Sequence, residues 1–469
     1  MELVMQEQEK RKENPLGTLP VHSLLMKFTV PSIVAMLTSA LYNIVDQYFI
    51  GNSVGELGNA ATNIAFPLST CCIAIALLFG IGGAAAFNLA KGAGDDEKAV
   101  YYMGNSMTGM FLLGTLLFLV TQLFLDPMLR FFGAPESIMG YAHTYVSITS
   151  IGFPMLIFAS GGGHLIRADG SPNFSMVCNI VGAVINTILD ALFVFGFDMG
   201  MAGAALATII GQYVSGFLAM YYLSHCKTVS VKLRHLRPRS DCMARVASLG
   251  AAPCSNQLAM MVVQLVMNKS LTYYGGQSNY GEEVPLACAG IISKVNQVYF
   301  SFIIGLSQGL QPIISFNYGA GKYKRAKEAF LTSASVGFAI SVVAFALFQL
   351  FPRPIIKIFG EGSEEYIAFS VSYFRVFLFF TFLNFFQPLT SNCFTAIGKP
   401  FMGMFLSLTR QIIFLLPLIL LLPIAIGIDG ILYAGPVADG LAAAVSFLFI
   451  SRELKGEKYG SKAGRELAG

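Results

Sequence analysis

Six ionisable residues lie inside long apolar runs of this sequence: Asp46, Asp190, Lys294, Arg375, Arg410 and Asp439. A charge at bilayer depth costs about 2.5–3.5 kcal/mol on insertion scales, so each needs a reason to be there. Asp46 sits in LYNIVDQYFIG (41–51), and no other charged residue occurs between Phe28 and Ile50. Ser39, Asn43 and Asp46 are spaced i, i+4, i+7 and share one face of a helix. Asn179, Asn186 and Asp190 form a similar stripe (i, i+7, i+11), and Thr208 adds a hydroxyl in the next segment. Carboxylate, amide and hydroxyl oxygens suit a hard cation, and a carboxylate held out of water can also carry a proton. Asp46 and Asp190 are therefore expected to bind H+ or Na+, with Asn186, Thr208, Asn43 and Ser39 around them. The alternative is a hydrogen-bond network that only joins helices. Two carboxylates are an expensive way to do that.

A second stripe carries the opposite charge. Gly290, Lys294, Gln297, Ser301, Gly305 and Gln308 recur at helical spacing. Gln257, Gln264 and Asn268 form a weaker one in the preceding segment. These residues are candidates for a cleft or a substrate surface. Arg375 and Arg410 are expected to be structural, and Asp439 to lie near the outer end of its helix. The 40 Phe and 20 Met suit a broad apolar cavity, but equally a packed or lipid-facing surface.

The elements that position these residues must be membrane helices. The 469 residues are 55% hydrophobic and 12% charged, about half the charged share of a soluble domain. Mean hydropathy is +0.64. Long apolar runs dominate over alternation, which favours helices over a barrel. Twelve segments of spanning length can be drawn, at about 27–50, 58–88, 101–125, 138–163, 172–196, 201–223, 245–271, 286–314, 328–351, 365–393, 400–424 and 430–451.

Basic residues set the orientation. With both termini and the even-numbered loops inside, 23 of the 30 Lys and Arg fall on the inner side, Arg167 among them. Only Arg130, Lys269, Arg353 and Lys357 fall outside. Both termini are thus predicted to be cytoplasmic. The longest basic connector, HCKTVSVKLRHLRPRSD (225–241), is read as an inner loop between two halves, with a lipid-headgroup or nucleic-acid role as the lesser alternative.

The halves repeat. Gly92-Ala93-Gly94 answers Gly319-Ala320-Gly321, and Phe132-Gly133 answers Phe359-Gly360, both at an offset of 227. RADGSP (167–172) answers TAIGKP (395–400) at 228. Six segments per half give a parallel repeat, with its pseudo-two-fold along the membrane normal. The expected fold is an all-α integral membrane protein of twelve transmembrane helices in two pseudo-symmetric six-helix bundles. Its parts are a tail (1–26), an N-lobe (27–224), a basic linker (225–244), a C-lobe (245–452) and a second tail (453–469). Asn268 falls opposite Asp46 and Leu418 opposite Asp190, so the acidic site belongs to one half only.

Other function classes are poorly supported. The eight cysteines (71, 72, 178, 226, 242, 254, 288, 393) have no metal-ligand spacing, and the five histidines form no nucleophile–base grouping. Neither an enzyme nor a cofactor is expected. The polar start, MELVMQEQEKRKENPLGTLP, lacks the order of a secretory signal.

The stretches VPSIVAMLTSALYNIVDQYFIG (30–51), LAKGAGDDEKA (89–99), IRADGSPNFSMVCNIVGAVINTILDALFVFG (166–196), GMAGAALAT (200–208) and FNYGAGKYKRAKEA (316–329) resemble the MATE (multidrug and toxic compound extrusion) family, in its bacterial MepA-like branch. The resemblance covers nearly the whole chain. It implies a MATE fold and an N-lobe cation site at Asp46, Asn186, Asp190 and Thr208, with the backbone carbonyl of Ala204 and a helix bend at Pro31. Some relatives place a more polar residue where this chain has Ser39, and others use C-lobe acids on the seventh and tenth helices, which are absent here. The implied function is H+- or Na+-coupled efflux of amphipathic, cationic compounds by alternating access. The implied setting is a multi-pass monomer in a bacterial plasma membrane, with small-molecule drugs and lipid as partners and no nucleic acid. The alternative on the same fold is a flippase for a lipid-linked or anionic metabolite, for which Lys294, Arg375 and Arg410 would supply the cations.

Overall fold

The computed structural model describes residues 14–281, 283–358, 364–456 and 459. Lys10, Arg11, Lys12, Lys458, Lys462 and Arg465 of the predicted inner charge set, and Phe359-Gly360 of the repeat, lie outside the described residues. Among the described residues there is no strand, and twelve helices are long and apolar enough to cross a membrane. They are α1 (Val21–Asn52), α2 (Leu57–Gly92), α3 (Asp96–Leu123), α4 (Glu136–Ala168), α5 (Pro172–Gly196), α6 (Gly200–Ser224), α7 (Ser240–Gly276), α8 (Val284–Gly319), α9 (Tyr323–Leu350), α10 (Tyr366–Ala396), α11 (Pro400–Ile426) and α12 (Ile428–Leu454).

The predicted tail and linker are longer than the observed ones. Asn14 caps a short helix, Pro15–Thr18, by accepting a bond from the Leu16 amide at 3.0 Å, and α1 starts at Val21. In the linker, Leu233–Leu236 forms a 3-10 turn, and α7 begins at Ser240. The Arg239 amide donates to buried Asn105 Oδ1 at 2.8 Å, which fixes that start against α3.

The sequence repeats are turn chemistry. Gly94 and Gly321 hold φ of 80° and 71°, and Gly170 and Gly398 hold 87° and 82°. Those backbone conformations favour glycine. The first glycine of each GAG does something else. A Cβ on Gly92 would sit 2.2 Å from the Phe316 carbonyl oxygen, and one on Gly319 2.2 Å from that of Leu89. The two motifs therefore bring α2 and α8 into backbone contact.

Two hydrophobic cores follow the two halves, with one exchange. Leu16, Val21, Leu24, Leu25 and Phe28, at the start of the chain, pack in the core of the second half. Val246 and Leu249, at the start of α7, pack in the core of the first. Pro31 and Pro253 follow these crossings directly, each inside a continuous helix that it deprives of one backbone bond.

The lobes meet near the GAG turns. Gly305 and Gly309 of α8 approach Ile33 and Thr29 of α1, and Gly250 of α7 approaches Leu78 of α2. Gln311 Nε2 donates to the Ile81 carbonyl at 2.9 Å. Arg167, predicted as an inner-loop cation, is instead buried. It donates to Ser175 (2.8 Å) and to Gln308 of the other lobe (3.1 Å), and its other contact is His164 Nδ1 (2.8 Å). Its side chain finds one acceptor within its lobe and one across the lobe boundary, where a loop position would leave it in water.

Candidate functional site

Four helices of the first lobe converge on one buried polar pocket. α1 supplies Tyr42 and Asp46, α4 supplies Tyr145, α5 supplies Asn186 and Asp190, and α6 supplies Thr208. Asp190 has no exposed surface, and Asp46, Asn186 and Thr208 are at most 9% exposed. The two carboxyl groups come within hydrogen-bonding reach of each other. Tyr42 and Tyr145 both reach Thr208, and Asn186 Nδ2 donates to Thr208 Oγ1 at 3.4 Å. Helix α5 widens into a π turn, Ala191–Gly196, directly after Asp190. Such turns are frequent at functional sites.

Donors are missing from this pocket. Asp46 Oδ1, both Asp190 oxygens and Asn186 Oδ1 are buried without a hydrogen-bond partner. Two unit charges about 4 Å apart repel by about 4 kcal/mol at an effective dielectric of 20. A bound cation or a proton relieves that repulsion, and a proton also supplies the missing donor. The set of atoms therefore suits H+ or Na+.

The structure gathers Asp46, Asn186, Asp190 and Thr208, and Asn43 is not among them. Asn43 is exposed, and its Nδ2 donates to the Ser39 carbonyl at 2.8 Å. A face defined by i, i+4, i+7 is broad, and Asp46 lies at its edge. Tyr42 lies one turn before Asp46 and about 40° round from it, whereas Asn43 is about 60° round and Ser39 is two turns away. Asn179 is likewise tied back to its own helix, at the Ser175 carbonyl (2.9 Å). Ala204 is buried one turn before Thr208, and Pro31 is buried below the pocket. Sequence reasoning missed Tyr42 and Tyr145. The i−4 spacing from Asp46 was a signal for the first, and nothing local pointed to the second.

The candidate cleft residues lie between the lobes. On α8, Gly305 and Gln308 touch the first lobe, while Gly290 on the same stripe has open space beside it and Gln297 is exposed. Lys294, between them, is half-buried and lies on the same face of the helix. On α7, Gly250 touches α2, and Gln257, Gln264 and Asn268 continue its face as half-buried residues. Gln264 Nε2 donates to Asn268 Oδ1 at 2.9 Å. Asn43 and Gln47, both exposed, continue the face of α1 that touches α8 lower down.

The remaining charges are accounted for inside the second lobe or at its edge. Arg410 Nε donates to Asp439 Oδ1 at 2.6 Å, and Asp439 is buried. Asp439 is thus an internal partner of Arg410 rather than an outer-end residue; the π turn Thr409–Leu415 carries Arg410 toward it. Arg375 is exposed, and its carbonyl accepts from Gln349 at 3.0 Å. Of the three cations considered for an anionic cargo, only Lys294 reaches the cleft.

A family model, MatE, matches residues 31–192 and 255–421. Multidrug export protein MepA of Staphylococcus aureus strain MSSA476 is 24% identical over 92% of this chain and 94% of its own length. That of Staphylococcus saprophyticus is 25% identical over 91% and 92%. Among solved structures, an outward-facing conformation of a multidrug resistance MATE family transporter of the MOP superfamily superposes with a TM-score of 0.87, at 22% identity over 94% of this chain and 97% of that one. A MOP superfamily transporter from Pyrococcus furiosus, described by a reverse polarity of its binding pocket, gives the same values.

Proposed function

This chain belongs to the MatE family, and we propose that it is a multi-pass membrane antiporter that exports amphipathic compounds in exchange for H+ or Na+. The observation that carries this reading is the pair Asp46 and Asp190, buried together with oxygens that lack donors. The relatives named for multidrug export support drug-like cargo.

With both termini cytoplasmic, the end where the lobes touch faces the cytoplasm and the cleft opens outward. An ion entering from outside binds Asp46 and Asp190 against Asn186 and Thr208. Ion binding removes the repulsion between the carboxylates and so favours a different packing of α1 against α5 and α6. Pro31 supplies the place where α1 can bend without breaking a further backbone bond. Cargo leaves the cleft in that state. The inward-open state releases the ion and reloads.

The test is efflux of a fluorescent amphipathic dye from cells carrying wild type, Asp46→Asn or Asp190→Asn, with pH and Na+ varied separately. Both variants are expected to lose coupled efflux while still reaching the membrane. Normal pumping by both would mean that the ion site lies elsewhere.

A further inference from the structure

The charge on the cleft wall is the opposite of what a cation exporter would carry. Within the spans α1, α2, α7 and α8 the acidic residues are Asp46 and Asp241, and Asp241 sits in the first turn of α7, paired with Arg239 of the linker. Asp46 is turned into the first lobe beside Asp190, away from the cleft. Asp439 of α12 is bonded to Arg410 inside the second lobe. The cleft faces of α2 and α7 present Cys71 and Cys254, and Lys269 points outward, exposed. Lys294 remains. Among the described residues its ammonium has no hydrogen-bond or ion-pair partner.

We propose that Lys294 determines specificity in the cleft, and that the cargo recognised there carries an acidic group (carboxylate, sulfonate or phosphate) on an apolar body. The proposal rests on the export reading above and deepens it. An ammonium at bilayer depth is costly without a partner, and among the described residues no carboxylate pairs with it. A ligand acid supplies one, and the three N–H donors of the ammonium can hold its oxygens. Gln257, Gln264 and Asn268 on the lobe-facing side of α7 and Gln297 on that of α8 are not fully buried, and they can add amide donors for an acid or its linker. The same four amides offer a cationic cargo only neutral oxygens, while Lys294 repels it.

Two fluorescent probes that share a ring and chain separate charge from shape: pyrenebutyrate and pyrenebutyltrimethylammonium. Each is dialysed to equilibrium against protein in nanodiscs, with empty nanodiscs subtracted and no ion gradient present. Wild type is expected to bind the acid about tenfold more tightly than its twin or better, the scale of one charge-assisted hydrogen bond. Lys294→Met removes that preference, and Lys294→Arg keeps it. Equal or tighter binding of the ammonium probe by wild type overturns the proposal, as does an unchanged ratio in a folded Lys294→Met. The export reading is scored separately, by gradient-driven uptake of pyrenebutyrate into inverted vesicles with Asp46→Asn and Asp190→Asn. Absence of gradient-driven uptake by wild type overturns the export reading, uptake that survives in both variants overturns the ion site at Asp46 and Asp190, and either result leaves the binding preference of Lys294 standing.

Discussion

Gly250→Ala should unlatch the closed end of the molecule. A Cβ at this position would sit 1.8 Å from the Leu78 carbonyl oxygen and 2.5 Å from its carbon, whereas ordinary contact begins at 3.4 Å. Both atoms are helix backbone, so no side chain can turn aside. Helices α2 and α7 must separate by about 1.5 Å, and overpacking of this kind typically costs about 1–3 kcal/mol. The strain exists only while the lobes touch. The equilibrium between closed and open forms of this end therefore shifts by about fivefold to 140-fold. The chain carries its own reporter, because Cys71 and Cys254 are half-buried on the cleft faces of these helices. With Cys254 as the sole cysteine, labelling by a membrane-impermeant maleimide from outside should slow, by at most that factor. Gly290→Ala is the control, since a Cβ there meets nothing within 4 Å. An unchanged labelling rate in a folded Gly250→Ala would refute the claim that this contact holds the cytoplasmic end shut.

Asp439→Asn leaves Arg410 without its anion and should destabilise the protein by about 3–5 kcal/mol, whereas Arg410→Met with Asp439→Leu should recover most of the loss; melting in detergent decides. Asp169 accepts bonds from Tyr222, the Lys227 and Thr228 amides and the Thr228 hydroxyl, so Asp169→Ala should free the linker and speed its proteolysis. Burial, aided by Arg234 and Lys232, holds the His235 imidazole below its ordinary pKa. The docked linker thus favours the neutral ring. Its stability is complete above about pH 6.5 and falls as pH drops, which protease sensitivity against pH should show, and His235→Gln should flatten the profile. Exchange of a monovalent acid for one incoming H+ moves two charges, so 100 mV should add roughly 4.6 kcal/mol of driving force. A monovalent cation exchanged for one H+ moves none, and vesicle uptake under an imposed potential separates the two.

The helices were legible because a bilayer leaves few alternatives: long apolar runs bounded by Gly and Pro can only be spans. The carboxylates were legible for the same reason, since Asp46 and Asp190 stand out where nothing else is charged. Direction within a face was not. Asn43 fits the stripe yet turns to the cleft, because a helix resolves spacing to only a third of its circumference. Tyr145 could not be found, since its nearness to Thr208 depends on how α4 leans on α6. Arg167 misled by position: it ends a span and looks like a loop cation, but Ser175 of its own lobe and Gln308 of the other draw it inward. Asp439 was misplaced because its partner, Arg410, is set by a π turn that no residue pattern announces.

The exchange of leading segments between the two cores bears on how such a molecule arises and how it can be cut. Each half contributes its first turns to the other, Leu16–Phe28 in one direction and Val246–Leu249 in the reverse. Two identical six-helix chains joined in this way would form a domain-swapped dimer, and the linker 225–239 fuses such a dimer into one polypeptide. Neither half expressed alone would have a complete core, because the missing piece is encoded in the other. The halves expressed together as separate chains, however, contain every segment that both cores need, and should assemble without the linker.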